Sequence, residues 1–115
     1  MVLSGGLVGD TLTNLVWQRQ ASTTTMTRAA AQTYCSSAGS DFRLPTLKEL
    51  LSIVDLTVAS PGPTINPAFP NTPAEAFWTS SPYAESSGWA WFVDFLDGSS
   101  GGNPVGHLFR MRCVR

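Results

Sequence analysis

Trp89-Ala90-Trp91-Phe92-Val93-Asp94-Phe95-Leu96 is the stretch of the sequence that decides the fold. Its odd-numbered residues are all large and apolar, and a period of two is typical of a β-strand that buries one face. We therefore expect this face to pack on the core; its members are Trp89, Trp91, Val93 and Phe95. The opposite face carries Ala90, Phe92, Asp94 and Leu96. Two sizeable apolar side chains on it are expected to point away from the core, where burial alone favours polar residues.

The residues around this strand predict the rest of a small sheet. The aromatic segment from Phe77 to Ser81 favours a strand, and a turn from Pro82 to Gly88 would join it to its partner, 89–96. Asp97-Gly98 is a turn signal. Beyond it we expect irregular structure over 99–106 and a last strand from Leu108 to Arg115, with one face made of Phe109, Met111 and Cys113.

The N-terminal half predicts one strand and two helices. The strand is expected over Leu15 to Arg19. An alanine-rich helix then begins at an N-cap, Thr27, and stops at Gly39. The second helix, from Leu47 to Val54, follows the capping box Thr46-Leu47-Lys48-Glu49 and has an apolar stripe that we expect to pack on the core.

The long connection 55–75 carries five prolines. A loop of this length without regular structure is usually functional or disordered. Ile65 and Phe69 offer apolar anchors, so we expect an ordered loop pinned to the core rather than a linker between domains.

Composition excludes several classes of protein. A chain of 115 residues, 43% of them hydrophobic, is predicted to form a single domain over 1–115. Seven basic and eight acidic side chains give no electrostatic footprint for nucleic acid. No apolar run approaches the ~20 residues of a membrane span, so we expect no membrane insertion. The first ten residues, MVLSGGLVGD, lack the basic and apolar regions of a signal peptide.

The sequence lacks the patterns of an enzyme. Nucleophilic catalysis needs a base within hydrogen-bond reach, and the sole histidine, His107, stands in a glycine-rich crossing without a catalytic motif. We therefore expect no enzymatic activity and no cofactor. A calcium site built on Asp94, Asp97 and Asn103 is a minor alternative. The cluster of Arg110, Arg112 and Arg115 is more typical of edge protection or ion pairing than of a phosphate site.

The two cysteines, Cys35 and Cys113, lie 78 positions apart. They lack the ligand spacing of a zinc site, which leaves a long-range disulfide or two buried thiols. If paired, they would contribute on the order of 4 kcal/mol to stability by the chain-entropy model.

Recognition of a ligand is the remaining function. The C-terminal third combines rigid aromatic anchors with small polar side chains, a mixture that works in antibody-like binding sites. The predicted ligand-binding residues are Ser86, Ser87, Gly88, Trp89, Phe92, Asp94, Leu96, Ser99, Ser100, Asn103, His107, Phe109 and Arg110. The alternative is that these aromatic side chains are buried beneath a neighbouring loop or subunit.

Several blocks together resemble one known family. They are FRLPT with EL (42–50), INPAFPNTP (65–73), FWTSSPYA (77–84), AWFVDF with Gly98 and the closing RCVR (112–115). In this order they resemble the DUF1566 family, found at the C-terminus of the Legionella collagen-like adhesin. The resemblance implies an α+β, C-type lectin-like fold, in which two helices flank small antiparallel sheets and the N- and C-terminal strands pair. It also implies a disulfide from the first helix to the last strand, which would join Cys35 to Cys113.

The resemblance implies a non-enzymatic display function. Some relatives are the variable proteins of diversity-generating retroelements, in which adenine-directed mutagenesis randomises codons near the C-terminus. Mutated AAC or AAT codons do not yield Lys, Glu, Gln, Met or Trp. No Lys, Glu or Gln occurs from Ser86 to Arg115, and all residues from Ser99 to Arg110 belong to the encoded set. The calcium motifs of animal C-type lectins, EPN or QPD with WND, are absent, so calcium-dependent sugar binding is not implied.

Three hypotheses therefore stand. The first is a diversified ligand-binding protein, the second an invariant adhesin head that binds glycans or glycosaminoglycans, and the third a structural oligomerisation module. The expected partner is a protein or glycan, with a homo-oligomer as an alternative. The expected location is the cell surface, the extracellular space or a virion.

Overall fold

A computed structural model describes residues 2–3, 6–39, 41–58, 62–69, 71–84 and 86–115. Within these ranges the chain forms two antiparallel sheets and two helices, which confirms the predicted α+β class. The first sheet has the order β1-β2-β3, and its strands are Val2–Leu3, Leu7–Asp10 and Leu15–Gln18. The helices are α1, Arg28–Ser37, and α2, Leu47–Leu51. The second sheet has the order β4-β5-β6, and its strands are Ala76–Pro82, Trp89–Asp94 and Ser99–Pro104.

Both helices begin where the capping residues predict. The Thr27 hydroxyl accepts a hydrogen bond from the Ala30 N–H at the start of α1. At α2 the side chains of Thr46 and Glu49 each accept the other's backbone N–H, which completes the capping box. The prediction that α2 extends to Val54 is wrong, because Val54 leaves the helix and forms an antiparallel bridge with Ile65. Among the described residues, no helix has the length and apolar character needed to cross a membrane.

The second sheet lies between two hydrophobic clusters. Phe77 and Trp78 are neighbours on β4, yet Phe77 belongs to one cluster and Trp78 to the other. On β5, Val93 joins the Phe77 cluster, whereas Ala90 joins the Trp78 cluster. Because adjacent side chains of a strand point to opposite faces, both faces of this sheet are buried, each over a different part of its length.

This double burial corrects the prediction from the period of two. The odd-numbered face was expected in the core, but Trp89 is 38% exposed and Trp91 is half-buried. The even-numbered face was expected to point outwards, but Ala90 is fully buried and Phe92 is half-buried. Leu96 is exposed, as predicted.

Two predictions for the C-terminal third are also wrong. Residues 99–106 were expected to be irregular, but β6 pairs with β5 along its whole length. The expected strand over 108–115 is an extended segment that makes isolated bridges, among them Phe109 with Met26 and Val114 with Trp17. The predicted pairing of the chain's two ends is confirmed, since Val16 and Arg115 exchange backbone hydrogen bonds of 2.7 and 2.9 Å.

Edge protection or ion pairing was predicted for Arg110, Arg112 and Arg115, and this is wrong for Arg112. Its side chain is 1% exposed and donates to the Arg19 carbonyl (3.0 Å) and the Thr72 hydroxyl (2.8 Å). The guanidinium lies over the Phe69 ring, 4.6 Å from its centroid. Burial lowers the pKa of Arg112 to about 9, because desolvation penalises the charged form. This arginine therefore packs against Phe69 and Thr72 of the long connection and does not protect a sheet edge.

The disulfide implied by the family resemblance is confirmed. Cys35 and Cys113 are bonded, with Cα atoms 5.4 Å apart and both residues fully buried. The bond links the last turn of α1 to the C-terminal extended segment, residues 108–115, next to the second sheet. The anchors of the long connection are confirmed as well, since Ile65 and Phe69 are each 4% exposed.

Candidate ligand-binding hairpin

The β5–β6 hairpin, residues 89–104, is held from one side by β4. The register of β4 against β5 shifts between Trp78 and Pro82, so β4 bulges there. Arg28 of α1 donates to the carbonyls of Thr79 and Ser80 in this bulge. The backbone N–H of Leu47, in the first turn of α2, donates to the Ser81 hydroxyl (2.9 Å). Both helices therefore fix the strand against which the hairpin is built.

The register of the hairpin determines which backbone groups of β6 are used. The Val105 N–H donates to the Gly88 carbonyl (3.0 Å), so these two residues face each other as a hydrogen-bonded pair just beyond the ladder. Hydrogen-bonded pairs alternate along an antiparallel ladder. The next such pairs are therefore 90 with 103, 92 with 101 and 94 with 99. It follows that Ser100 and Gly102 direct their backbone N–H and C=O groups away from β5.

An aromatic platform lies at the Trp89 end of the hairpin; we give this name to Tyr83, Trp89 and Trp91. The Tyr83 ring centroid lies 4.7 Å from that of Trp91 and 6.0 Å from that of Trp89. The Tyr83 ring also covers Gly102, where an added Cβ would stand 2.4 Å from the ring. Only glycine leaves room for this arrangement, which places one rim of the platform directly over β6.

A second aromatic contact occupies the opposite face of the hairpin. Phe92 packs edge-on against Phe109, with ring centroids 5.3 Å apart, and Phe109 in turn packs on Trp78 at 4.6 Å. Phe92 and Phe109 are half-buried, whereas Trp78 is fully buried. Much of this second surface is thus committed to the core.

The charged side chains within the hairpin are both acidic. Asp94 accepts a hydrogen bond from the Leu96 N–H (2.9 Å), and Asp97 accepts one from the Ser99 N–H (2.9 Å). Hydrogen bonds from the Ser99 hydroxyl and backbone N–H hold the pKa of Asp97 below its usual range. The turn end of the hairpin therefore carries negative charge at neutral pH. Gly98 closes this turn with a positive φ of 81°.

The structure divides the predicted ligand-binding residues among several places. Trp89 lies on the platform face, while Phe92 and Phe109 lie on the opposite face. At the turn end lie Asp94, Leu96, Ser99 and Ser100, and at the other end lie Ser86, Ser87, Gly88, Asn103 and His107. About 17 Å of strand separates the two ends.

Arg110 is not brought to the hairpin. Its backbone bridges Phe77 on the outer edge of β4, two strands away from β6. Its guanidinium forms an ion pair with Glu75 (3.1 Å) and donates to the Ser22 carbonyl (3.1 Å). The structure thus gives Arg110 a contact role on the edge opposite β6.

The profile of the Lcl C-terminal domain family matches residues 6–115. The chain belongs to this family. It is the same family that the sequence blocks resemble. The match indicates the C-terminal domain of an adhesin-like protein. A search of curated proteins found no significant match.

Two platform residues of this Lcl C-terminal domain were not predicted from the sequence as part of the site. Tyr83 was assigned to a turn and Trp91 to the core, because alternation along one strand does not reveal a ring that folds over from the preceding turn. The sequence signal was the Gly101-Gly102 pair, because glycine inside a strand often marks a close approach of another group. The structure places Gly102 opposite Trp91.

The domain also has a cleft that the sequence did not predict. It has a volume of about 270 Å³ and lies between the β2–β3 turn, the end of α2 and residues 66–69. Trp17 lines it, and the indole Nε1 of Trp17 is buried without a hydrogen-bond partner among the described residues. No described group of three or more His, Cys, Asp or Glu side chains is arranged to hold a metal ion.

Proposed function

We propose that this domain is a non-enzymatic recognition module that displays variable side chains on the β5–β6 hairpin. The observation that carries the proposal is the contrast between backbone and side chains on β6. The backbone of β6 is fixed by β5. No hydrogen bond to any described residue is formed by the side chains of Ser100 and Asn103 on β6 or of His107 in the segment that follows it. Such positions accept substitution without loss of the fold, because the fold does not use their side chains.

Diversification by a retroelement fits this arrangement. Residues 99–110 all belong to the set that mutated AAC or AAT codons encode, and most of those on β6 and in the crossing are exposed or half-buried. A rigid sheet lowers the conformational cost of binding, so a few anchors suffice for affinity. Trp89, at 38% exposed, is the largest such anchor on the hairpin.

The test of diversification is genomic. We expect a reverse transcriptase gene near the coding sequence and a template repeat that matches its 3′ end. The adenines of that repeat should coincide with the codons of exposed or half-buried residues such as Ser99, Ser100, Asn103 and His107. A repeat whose adenines fall on codons for buried residues such as Met111 or Cys113 would contradict the proposal.

An invariant adhesin head is the second candidate, and membership of an adhesin-related family favours it. A glycan array of the domain separates the two, since an invariant head should give the same specificity in all copies of the gene. Sulfated glycans are disfavoured as ligands, because Arg112 is buried and Arg110 is paired with Glu75. The platform suits neutral ligands better.

Two further proposals concern the location of the protein and its assembly. The buried Cys35–Cys113 disulfide supports an oxidising location, at the cell surface, outside the cell or on a virion. A subunit contact through the exposed Trp89 of the aromatic platform is an alternative role for the hairpin, which light scattering of the purified domain would test. A strictly monomeric mass would contradict that contact.

A further inference from the structure

The free edge of β6 carries unused backbone hydrogen-bonding groups. Ser100 and Gly102 direct their N–H and C=O groups away from β5, and none of these groups bonds to another described residue. The opposite edge of the sheet differs, since β4 is covered by Arg110, whose N–H donates to Ala76 and whose carbonyl accepts from Trp78. The second sheet is therefore closed on one side and open on the other.

Natural protection of this edge is limited. Pro104 lacks an N–H, and its carbonyl accepts a hydrogen bond from the His107 N–H (3.0 Å), so the strand ends there. Between residues 99 and 103 the edge carries no proline and no charged side chain that would hinder the pairing of a neighbouring strand. A polypeptide in extended conformation presents matching donors and acceptors with the same alternation.

The two ends of this edge have different chemistry. At the Pro104 end stand the rings of the aromatic platform, one of which covers Gly102. At the other end Asp97 is exposed and negatively charged. A strand of about six residues, roughly 17 Å long, would span the distance between them.

We propose that the open edge of β6 binds an extended segment of another polypeptide by strand addition. The segment places an apolar side chain against the aromatic platform and a lysine or arginine near Asp97. Backbone hydrogen bonds to Ser100 and Gly102 supply affinity, and the two ends supply specificity. The inference rests on the proposed recognition function and names the chemical class of its ligand.

The experiment starts with selection of linear peptides from a random phage-displayed library against the oxidised domain. The affinity of a selected synthetic peptide is then measured by calorimetry for wild type and two variants at one position. Ser100→Pro removes an outward N–H that takes no part in the ladder to β5, whereas the matched control Ser100→Ala keeps it. Both variants lose the Ser100 hydroxyl and only Ser100→Pro also loses the N–H, so we expect Ser100→Pro to bind about tenfold or more weaker than Ser100→Ala.

A second measurement uses the unmodified domain and so does not depend on how the proline variant folds. Single N-methyl groups are placed along the selected peptide. Strand addition predicts that methylation weakens binding at every second residue and has little effect at those between, because only alternate N–H groups face β6. Asp97→Asn should weaken binding only of peptides with a basic residue, with a loss that shrinks as salt rises.

The remaining outcomes each overturn the inference. Failure to select any peptide, or N-methyl effects without alternation, would refute strand addition. Binding that is lost in Trp89→Ala but unchanged in Ser100→Pro would refute the edge while leaving the recognition face in place. A dimer of the free domain that Ser100→Pro dissolves would assign the edge to a second copy of this chain instead.

Discussion

Removal of the Cys35–Cys113 disulfide should destabilise the domain strongly. The bond closes a loop of 78 residues, for which the chain-entropy relation gives about 4.5 kcal/mol. For a domain of this size that loss corresponds to a fall in melting temperature of roughly 15–25 °C. The perturbation is the double variant Cys35→Ala with Cys113→Ala, compared with wild type under reducing and oxidising conditions.

Urea denaturation followed by tryptophan fluorescence measures this loss. Because the crosslink acts on the unfolded chain, its removal should also raise the dependence of the free energy of unfolding on urea concentration. Reduced wild type provides the control, since it keeps both sulfur atoms in the core and separates the crosslink from packing. A loss below about 1 kcal/mol in both proteins would refute the entropic reasoning.

Three further changes test the contacts of the hairpin, of α2 and of the buried Arg112. Gly102→Ala should displace the Tyr83 ring, destabilise the domain by about 1–3 kcal/mol and alter the near-UV circular dichroism, whereas Gly106→Ala enters open space and should do neither. Equal behaviour of the two variants would contradict the close approach. Glu49→Gln removes a carboxylate whose pKa is lowered chiefly by its arginine partner. That carboxylate stabilises the fold above its unfolded pKa and loses the effect as pH falls through its folded pKa. The variant should therefore lose less stability than wild type between about pH 5 and pH 3, and parallel acid titrations would contradict this. Arg112→Lys should cost about 1.5–3 kcal/mol in chemical denaturation, because an ammonium group does not reach both acceptors; an unchanged midpoint would contradict the role of the guanidinium fork.

Features that depend on a few neighbouring residues were predictable from the sequence. The N-cap at Thr27 and the capping box at Thr46 act within one helical turn, and both helices begin where these residues place them. The anchors Ile65 and Phe69 were predictable as large apolar residues within a proline-rich connection, although Leu56 at its start is exposed. The disulfide followed from the resemblance to a family, since spacing alone allowed two free thiols.

Features that depend on what packs on each face were not predictable. A prediction from the period of two along β5 assumes that one face is buried. In the structure, α1 and residues 111–113 cover Ala90, while the cluster that contains Phe77 covers Val93 on the other face. The burial of Arg112 depends on contacts with Phe69 and Thr72, some 40 residues away. The strand β6 was missed because its Ser-Ser-Gly-Gly-Asn sequence has little intrinsic strand preference and is ordered by its partner.

The candidate site was predictable in part. The sequence predicted ligand-binding residues in the C-terminal third, and many of these positions lie on the hairpin. It did not separate the two faces of the hairpin, nor did it predict that Arg110 would stand on the far edge of the sheet. Tyr83 entered the platform only through the fold of the turn before β5.

The central claim is that the fold does not need the exposed side chains of the hairpin region, which leaves them available for recognition. Protease resistance of displayed libraries tests it most directly. One library randomises the exposed or half-buried positions Ser86, Ser87, Trp89, Leu96, Ser99, Ser100, Asn103 and His107. A matched library randomises the same number of buried positions, drawn from Trp17, Ile53, Leu50, Phe77, Ala90, Val93, Phe95 and Met111. We predict that most members of the first library resist protease and almost none of the second do. Equal sensitivity of the two libraries would contradict the account.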